Sequence, residues 1–278
     1  MTVQHPRRFT ISNIAWEPSE DDAVAAILRA EGVDGVEIAP TKWREQPLTA
    51  TAAQVDAYRR AWEDRGLRIT SLQALFFGKP ELQLFGDAAT RTAMADHLRG
   101  MIDLAARLGA RSLVFGSPRN RVRGSVPLAA ATQVASEFLR EIGVHAMSRD
   151  TVVCVEANPA AYGCDFVTDT AQAVELCRAV DHPGVRVNGD LGGMTMSGED
   201  PALAIRNAAA LLAHFHASEP ELAPLGAAAD HPRAAEALAA IGYGGSISIE
   251  MRGGAAAGNT PAVRAAVQFA RAAYGDQR

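Results

Sequence analysis

Cysteine is scarce: Cys154, Cys164 and Cys177 are odd in number among 278 residues, and none stands in a CxxC pair. They read as reduced thiols, the state expected in a cytoplasmic protein. Positive charge is not in excess either. The formal net charge is −5 and no local basic run opposes it, so no nucleic-acid partner is expected. No apolar run is long enough to cross a bilayer, and the opening MTVQHPRRFTISN has no apolar signal core. The expectation is a soluble cytoplasmic chain with no membrane partner. HExxH, a Walker lysine loop and a GxSxG elbow are missing as well. That removes the usual marks of zinc proteases, nucleotide-driven enzymes and serine hydrolases.

The composition is that of a globular protein: 48% hydrophobic and 21% charged residues give no sign of disorder. A chain of this length suits one α/β barrel and can bury its core without disulfides or a structural metal. Short β-branched runs alternate with Ala-rich stretches of helical period. The runs predict strands over Phe9–Ile14, Gly35–Ile38, Arg68–Gln73, Ser112–Gly116, Val152–Glu156, Val185–Asp190, His214–Ala217 and Ser246–Glu250. Helices are predicted over Glu20–Glu31, Ala52–Arg65, Ala88–Leu108, Leu128–Ser148, Thr170–Val180, Pro201–Ala213, Pro232–Ile241 and Pro261–Tyr274. Prolines in the first turn at Asp200-Pro201 and His231-Pro232, and Thr168 and Asp169 before Thr170, mark helix starts.

Successive strands are spaced by about one βαβ unit of roughly 30 residues or more, and eight such units make a (β/α)₈ barrel. A doubly wound sheet would want a glycine-rich turn after the first strand, and Asn13-Ile14-Ala15-Trp16-Glu17 is unlike one. No linker divides the chain, so residues 1–278 are expected to form a single barrel domain, with GGAAAG (253–258) a flexible loop after strand eight.

The strands end in polar groups: Glu37, Gln73, Ser117, Glu156, Asp190, His216 and Glu250 lie at or near their C-terminal ends. In a (β/α)₈ barrel those ends surround one mouth, where such enzymes place their chemistry. Any one acid could cap a helix or pair with a base. Three carboxylates crowding one mouth require shared protons or a cation, and a cation is the simpler answer. His214 and His216, two apart on a strand, point the same way. His216 is nearer the mouth and is the candidate ligand; His214 lies deeper, as a supporting or core residue. Three carboxylates and one imidazole make a hard, oxygen-rich set. It favours one divalent cation, manganese first with magnesium or cobalt as alternatives, over a structural zinc.

At this point the chain resembles the sugar phosphate isomerase/epimerase superfamily, the xylose isomerase-like TIM barrels. The likeness runs from NIAW (13–16) through GVDGVEIAPTKW (32–43), SLQALFFG (71–78), LVFGSPRNR (113–121), VCVEANPAAYGCDF (153–166), NGDLGGM (188–194), HFHASEP (214–220) and GYGGSISIEM (242–251). The order Glu, Asp, His, Glu on strands five to eight resembles the metal set of the ketohexose 3-epimerase branch. The resemblance implies Glu156, Asp190, His216 and Glu250 as ligands, with Glu156 and Glu250 also removing and returning a proton. Two departures stand out. Gly193 takes the place of a substrate-contacting histidine three residues after the aspartate, and no arginine closely follows His216 in ASEPELAPLG. Apurinic endonucleases share the fold but hold three metals with extra histidines, whereas His5, His97, His145 and His182 lie away from the expected mouth here.

The expected reaction is therefore isomerisation or epimerisation of a sugar-like hydroxy-carbonyl compound through an enediolate, with a lyase or dehydratase using the same chemistry as the alternative and phosphodiester hydrolysis third. Glu37 is expected to bind a substrate hydroxyl or to pair with Lys42 or Arg44. Gln73 is a further candidate for substrate contact. Arg119 is expected to meet an anionic substrate group and Arg121 to be solvated. Trp16, Trp43 and Phe77 wall the pocket or pack in the core, and Asn158 and Tyr162 orient Glu156. Assembly into a homo-oligomer is left open.

Overall fold

Alternation along each strand decides what faces the barrel axis and what faces the helices, and here the two faces differ sharply in chemistry. A computed structural model describes residues 8–226 and 228–275; His5 and both ends of the expected domain lie outside them. The strands are β1 Arg8–Ser12, β2 Gly35–Ile38, β3 Arg68–Leu72, β4 Ser112–Phe115, β5 Val152–Glu156, β6 Val185–Asp190, β7 Leu212–Ser218 and β8 Ser246–Glu250. All pair in parallel, in sequence order, and β8 closes on β1 through Arg8 opposite Ser246. The enclosing helices are α1 Asp21–Ala30, α2 Ala52–Asp64, α3 Ala88–Leu108, α4 Leu128–Ser148, α5 Thr170–Val180, α6 Pro201–Ala208, α7 His231–Ala240 and α8 Asn259–Tyr274. The chain is thus a (β/α)₈ barrel. No helix among the described residues is long and apolar enough to cross a membrane.

Buried apolar residues such as Ile11, Val36, Ile38, Val153, Val155, Val187, Phe215 and Ile249 form the layer between strands and helices. Phe215, for example, meets the ring of Tyr274 on α8 at 6.1 Å. The alternate positions are polar yet buried: Thr10, Ser12, Glu37, Ser71, Asn188, His214, His216, Ser218 and Ser248. Parallel strands usually read as unbroken apolar runs because both faces are covered by apolar neighbours. Here the inner face is hydrophilic, and Glu37, His214, His216 and Ser248 bond one another inside the barrel, while the Thr10 and Ser71 hydroxyls are buried without a hydrogen-bond partner.

Helix starts follow side-chain caps. Asp169 accepts from the Gln172 amide at 2.8 Å and Asp200 from the Ala202 amide at 2.9 Å, while Asp230 caps α7 through the Arg233 amide. Several element bounds differ from the sequence expectation, most by one or two residues, and three differences have a local cause. β1 stops at Ser12 because the Ser12 hydroxyl accepts the Ile14 amide and starts a tight turn over Asn13–Ala15. α6 ends at Ala208 rather than Ala213, since the Leu211 carbonyl is taken by the Val187 amide and the chain is drawn into the sheet. A short helix over Leu191–Met196 was not expected; Asp190 caps it, and its glycines conceal it in the sequence. Gly192 is needed there because a Cβ would come 2.5 Å from the Glu219 carbonyl oxygen.

All three cysteines are free and buried. Burial pushes the Cys154 and Cys177 thiols up to about 12, so neither supplies a thiolate near neutrality. Substitution by Ala or Ser, one at a time, is expected to leave metal binding and turnover unchanged. Loss of either when a thiol-blocking reagent is added to the folded protein would show cysteine chemistry instead.

Candidate metal centre

Glu156 ends β5, Asp190 ends β6, His216 is the fifth residue of β7 and Glu250 ends β8. The register sets Asp190 beside His216, and Ser218 beside Glu250, on adjacent strands. One donor atom from each of Glu156, Asp190, His216 and Glu250 falls within 4.8 Å of the others. His216 Nδ1 faces Glu250 Oε2 at 3.1 Å, Glu156 Oε1 at 3.2 Å and Asp190 Oδ2 at 3.7 Å. Four donors bound at about 2.0–2.2 Å to one ion lie within about 4.4 Å of each other, so the grouping is close to coordination size before any contraction.

The imidazole is oriented from behind. Its Nε2 lies 3.0 Å from Glu37 Oε1, and His214 Nε2 lies 2.8 Å from Glu37 Oε2. Glu37 stands on β2, not adjacent to β7, so these bonds cross the barrel. Ser248 Oγ also donates to Glu37 Oε1. Placing the Nε2 proton on the Glu37 side leaves the Nδ1 lone pair aimed at the three carboxylates, the arrangement a histidine ligand needs. Burial opposes ionisation of Glu37, but the two imidazoles outweigh it and hold its carboxyl well below the usual range.

The carboxylates differ in their support. Asp190 Oδ2 accepts from Ser218 Oγ at 2.6 Å and Oδ1 from the Gly193 amide at 2.5 Å. Glu156 Oε1 accepts from Asn188 Nδ2 at 2.7 Å, and Oε2 from Asn158 Nδ2 at 3.3 Å. Glu250 meets only His216 among the described side chains within ion-pair distance. Burial is the main force raising Glu250, to about 7, with Glu156 and Asp190 adding repulsion and His216 opposing it. Burial pulls His216 down, but Glu250 and Glu37 overcome this and raise it well above the ordinary imidazole value. Protons thus offset the crowding wherever a cation does not. The oxygen-rich donor set, the converging lone pair and the lack, among the described residues, of any Lys or Arg within ion-pair distance of the three acids fit one divalent cation.

The remaining sequence candidates divide. Asn158 reaches Glu156 as above. The Tyr162 hydroxyl instead accepts from the Glu221 amide at 3.1 Å, tying the loop after β5 to that after β7. Gln73 is buried and donates to the Ser12 hydroxyl at the end of β1. Glu37 is corrected on both counts. It pairs with neither Lys42, which binds Glu17, nor Arg44, which bonds Gln54, and it is fully buried behind His216 rather than open to a substrate hydroxyl.

Arg121 is corrected too: it is 1% exposed, not solvated, whereas Arg119 is exposed and meets none of the carboxylates. Trp16 is buried edge-on against Trp62, with its indole N–H donating to Asp21. Trp43 stacks on Tyr58 at 4.6 Å, and both tryptophans border a cavity of about 70 Å³ shared with Asn13 and Lys42. Phe77 is 71% exposed and lines no part of that cavity. His97, His145 and His182 have partners elsewhere, at the Leu75 carbonyl, Asp103 and the Gly184 amide.

Asn188 and Ser218 were missed in the sequence. Each lies two residues from a candidate ligand on the same strand, so the two-residue period would have placed both on the inner face. The other grouping of metal-binding types among the described residues, Glu37 with His214 and His216, shares His216 and lacks the further donors of a multi-metal hydrolase.

The comparisons agree with this architecture. The sequence profile of the xylose isomerase-like TIM barrels matches residues 25–273. Among solved structures, D-psicose 3-epimerase from Clostridium cellulolyticum H10, bound to D-tagatose, superposes with a TM-score of 0.81 at 18% identity, covering 97% of this chain and 100% of that one. The 3-keto-D-glucoside 4-epimerase of E. coli gives 0.78 at 19% identity, covering 96% and 99%. L-ribulose 3-epimerase gives 0.77 at 17%, covering 96% and 94%. At these identities the likeness is one of fold. No curated protein matches the chain by sequence.

Proposed function

The chain belongs to the xylose isomerase-like TIM barrel family, and from that premise we propose that it is a divalent-metal-dependent isomerase or epimerase of a sugar-like hydroxy-carbonyl compound. The observation that carries the reading is the Glu156, Asp190, His216 and Glu250 cluster, with its imidazole aimed by Glu37. Solved structures of like fold bear the names of sugar 3- and 4-epimerases, which supports the substrate class.

When bound, a divalent cation polarises the substrate carbonyl and stabilises the negative charge of an enediolate, with manganese the first candidate and magnesium or cobalt next. Asp190 and His216 are assigned as the holding residues; Ser218 and the Gly193 amide fix the two Asp190 oxygens, and Glu37 fixes the far imidazole nitrogen. Glu156 and Glu250 are the proton carriers, one removing the proton next to the carbonyl and the other returning it. Asn188 and Asn158 fix the direction of Glu156, while Glu250 is less restrained. Gln73, Trp16 and Trp43 follow β3, β1 and β2 on the same side and are proposed to bound the substrate space. Arg119, exposed after β4, is available to an anionic group.

Gly193 supplies no side chain to a substrate. A Cβ there would come 2.8 Å from Asp190 Oδ1, so a larger residue would force the ligand to move. An unmodified ketohexose is the first compound to test. In deuterium oxide with manganese, magnesium or cobalt, D-fructose, D-tagatose, L-ribulose or a 3-keto-D-glucoside should gain deuterium beside its carbonyl. Retention of the carbon skeleton and all oxygens marks an isomerase; loss of water marks the lyase alternative. Absence of label from every compound with every metal would sink the reading.

Metal affinity should also depend on pH. Both His216 and Glu250 have raised values in the metal-free centre, so each holds a proton that the ion must displace. Lowering the pH through about 7, the Glu250 value, adds protons and weakens binding; raising it strengthens binding by up to about tenfold per displaced proton per pH unit. Calorimetry in buffers of different ionisation enthalpy should record that proton release. Affinity that stays level from pH 6 to 8 would contradict it.

A further inference from the structure

Arg121 lies in the loop after β4, with 1% of its surface exposed and no carboxylate within ion-pair distance among the described residues. A guanidinium is seldom buried without a carboxylate beside it, because desolvation is costly. Its bonds go to main-chain carbonyls: Nε donates to Gly116 at 2.8 Å and Nη2 to Glu156 at 2.6 Å. Nη1 is buried and has no hydrogen-bond partner. The two acceptors are at the ends of adjacent strands, β4 and β5. One rigid fork therefore fixes the spacing of these strand ends, a task the flexible ammonium of lysine performs poorly.

Gly116 is the second part of the arrangement. A Cβ on it would overlap Glu156 Oε2 and stand 3.4 Å from Asn158 Nδ2. The bare backbone of Gly116 thus forms the wall against which the Glu156 carboxylate rests. The next residue, Ser117, is held at φ 41°, a left-handed conformation unfavourable for serine. The turn carries the chain through Pro118–Asn120 and brings Arg121 back beneath the strand ends; Asn120 is bound to the Lys79 and Leu82 carbonyls.

We propose that Arg121 and Gly116 together are positioning residues for Glu156, setting where its carboxylate stands in the metal centre. The proposal rests on Glu156 being a ligand and proton carrier, as argued above. It assigns a purpose to the strained turn and to a buried cation that contacts no side-chain acid.

The test uses manganese(II) binding, which needs no substrate. Arg121→Lys keeps the charge and removes the fork. It should weaken manganese binding by about tenfold or more, in the range seen when residues supporting a ligand are altered, and change the manganese electron paramagnetic resonance spectrum. Gly116→Ala leaves the guanidinium and both carbonyls in place and displaces the carboxylate directly, so it should shift the same two quantities in the same direction. If Arg121→Lys lowers the melting temperature but keeps wild-type affinity and spectrum, Arg121 is only structural and the proposal fails. If Arg121→Lys does not fold, Gly116→Ala decides: altered binding supports the proposal and wild-type binding overturns it. A wild-type protein that binds none of manganese, magnesium and cobalt would overturn this proposal and the functional reading together. One that binds manganese yet exchanges no substrate proton would overturn only the latter.

Discussion

His216→Ala is expected to empty the centre: metal content falls to background and turnover with it. The residue contributes in two directions at once. Its Nδ1 is the nitrogen donor among three carboxylates, and its Nε2 holds one oxygen of the fully buried Glu37. Removing the ring takes away a ligand and the positive partner that three acids share in the metal-free state. It also leaves the buried Glu37 with His214 and Ser248 as its remaining side-chain partners among the described residues. Altering a residue that merely supports a ligand costs about 10–100-fold in affinity, so loss of the ligand itself should exceed ~10²-fold. Breaking a buried ionic contact costs about 3–5 kcal/mol, so the melting temperature of the metal-free variant should fall as well. Metal per chain by elemental analysis, beside a thermal scan, separates these effects. A variant that binds one ion per chain with wild-type affinity would remove His216 from the centre.

The same residue shows how far reading along the chain reaches. Apolar runs ending in Glu156, Asp190, His216 and Glu250 carried both the barrel and the four-donor cluster, because strand direction alone brings the four ends to one mouth. Glu37 reads in sequence as a strand-end acid for a substrate hydroxyl or for a nearby base, Lys42 or Arg44. Its true partners lie on the opposite side of the barrel, 177 and 179 residues away, and no local pattern encodes that distance. Arg121 illustrates a second limit. Whether a loop arginine is solvated or buried depends on the left-handed turn at Ser117, and serine does not announce such a turn. Asn188 and Ser218 were within reach, since counting by two from Asp190 and His216 finds them. A neutral amide or hydroxyl on an inner face is indistinguishable in sequence from ordinary packing until its partner across the strands is known.

Glu250→Gln and Glu156→Gln should both reduce solvent-deuterium exchange by ~10²-fold or more, the usual contribution of a general acid or base. The two variants should nevertheless differ in metal content. At position 250 the carboxylate faces His216 without amide donors, so a glutamine can turn its carbonyl oxygen toward the ion and its NH₂ away. This variant should keep its metal and fail in proton transfer. At position 156 both oxygens already accept from amide NH₂ groups, Asn188 on one and Asn158 on the other. Either orientation of a glutamine sets N–H against N–H at one of them, leaving a buried donor unpaired at about 1–3 kcal/mol. The Glu156→Gln centre should therefore lose ion affinity along with exchange. Measuring deuterium incorporation and metal per chain on the same samples makes the distinction, because a lost ion would otherwise imitate a lost base. A variant that retains its ion and exchanges at the wild-type rate takes that residue out of the proton path. If both do so, the proton moves through some other group, and the two-carboxylate mechanism is wrong even though the metal centre stands.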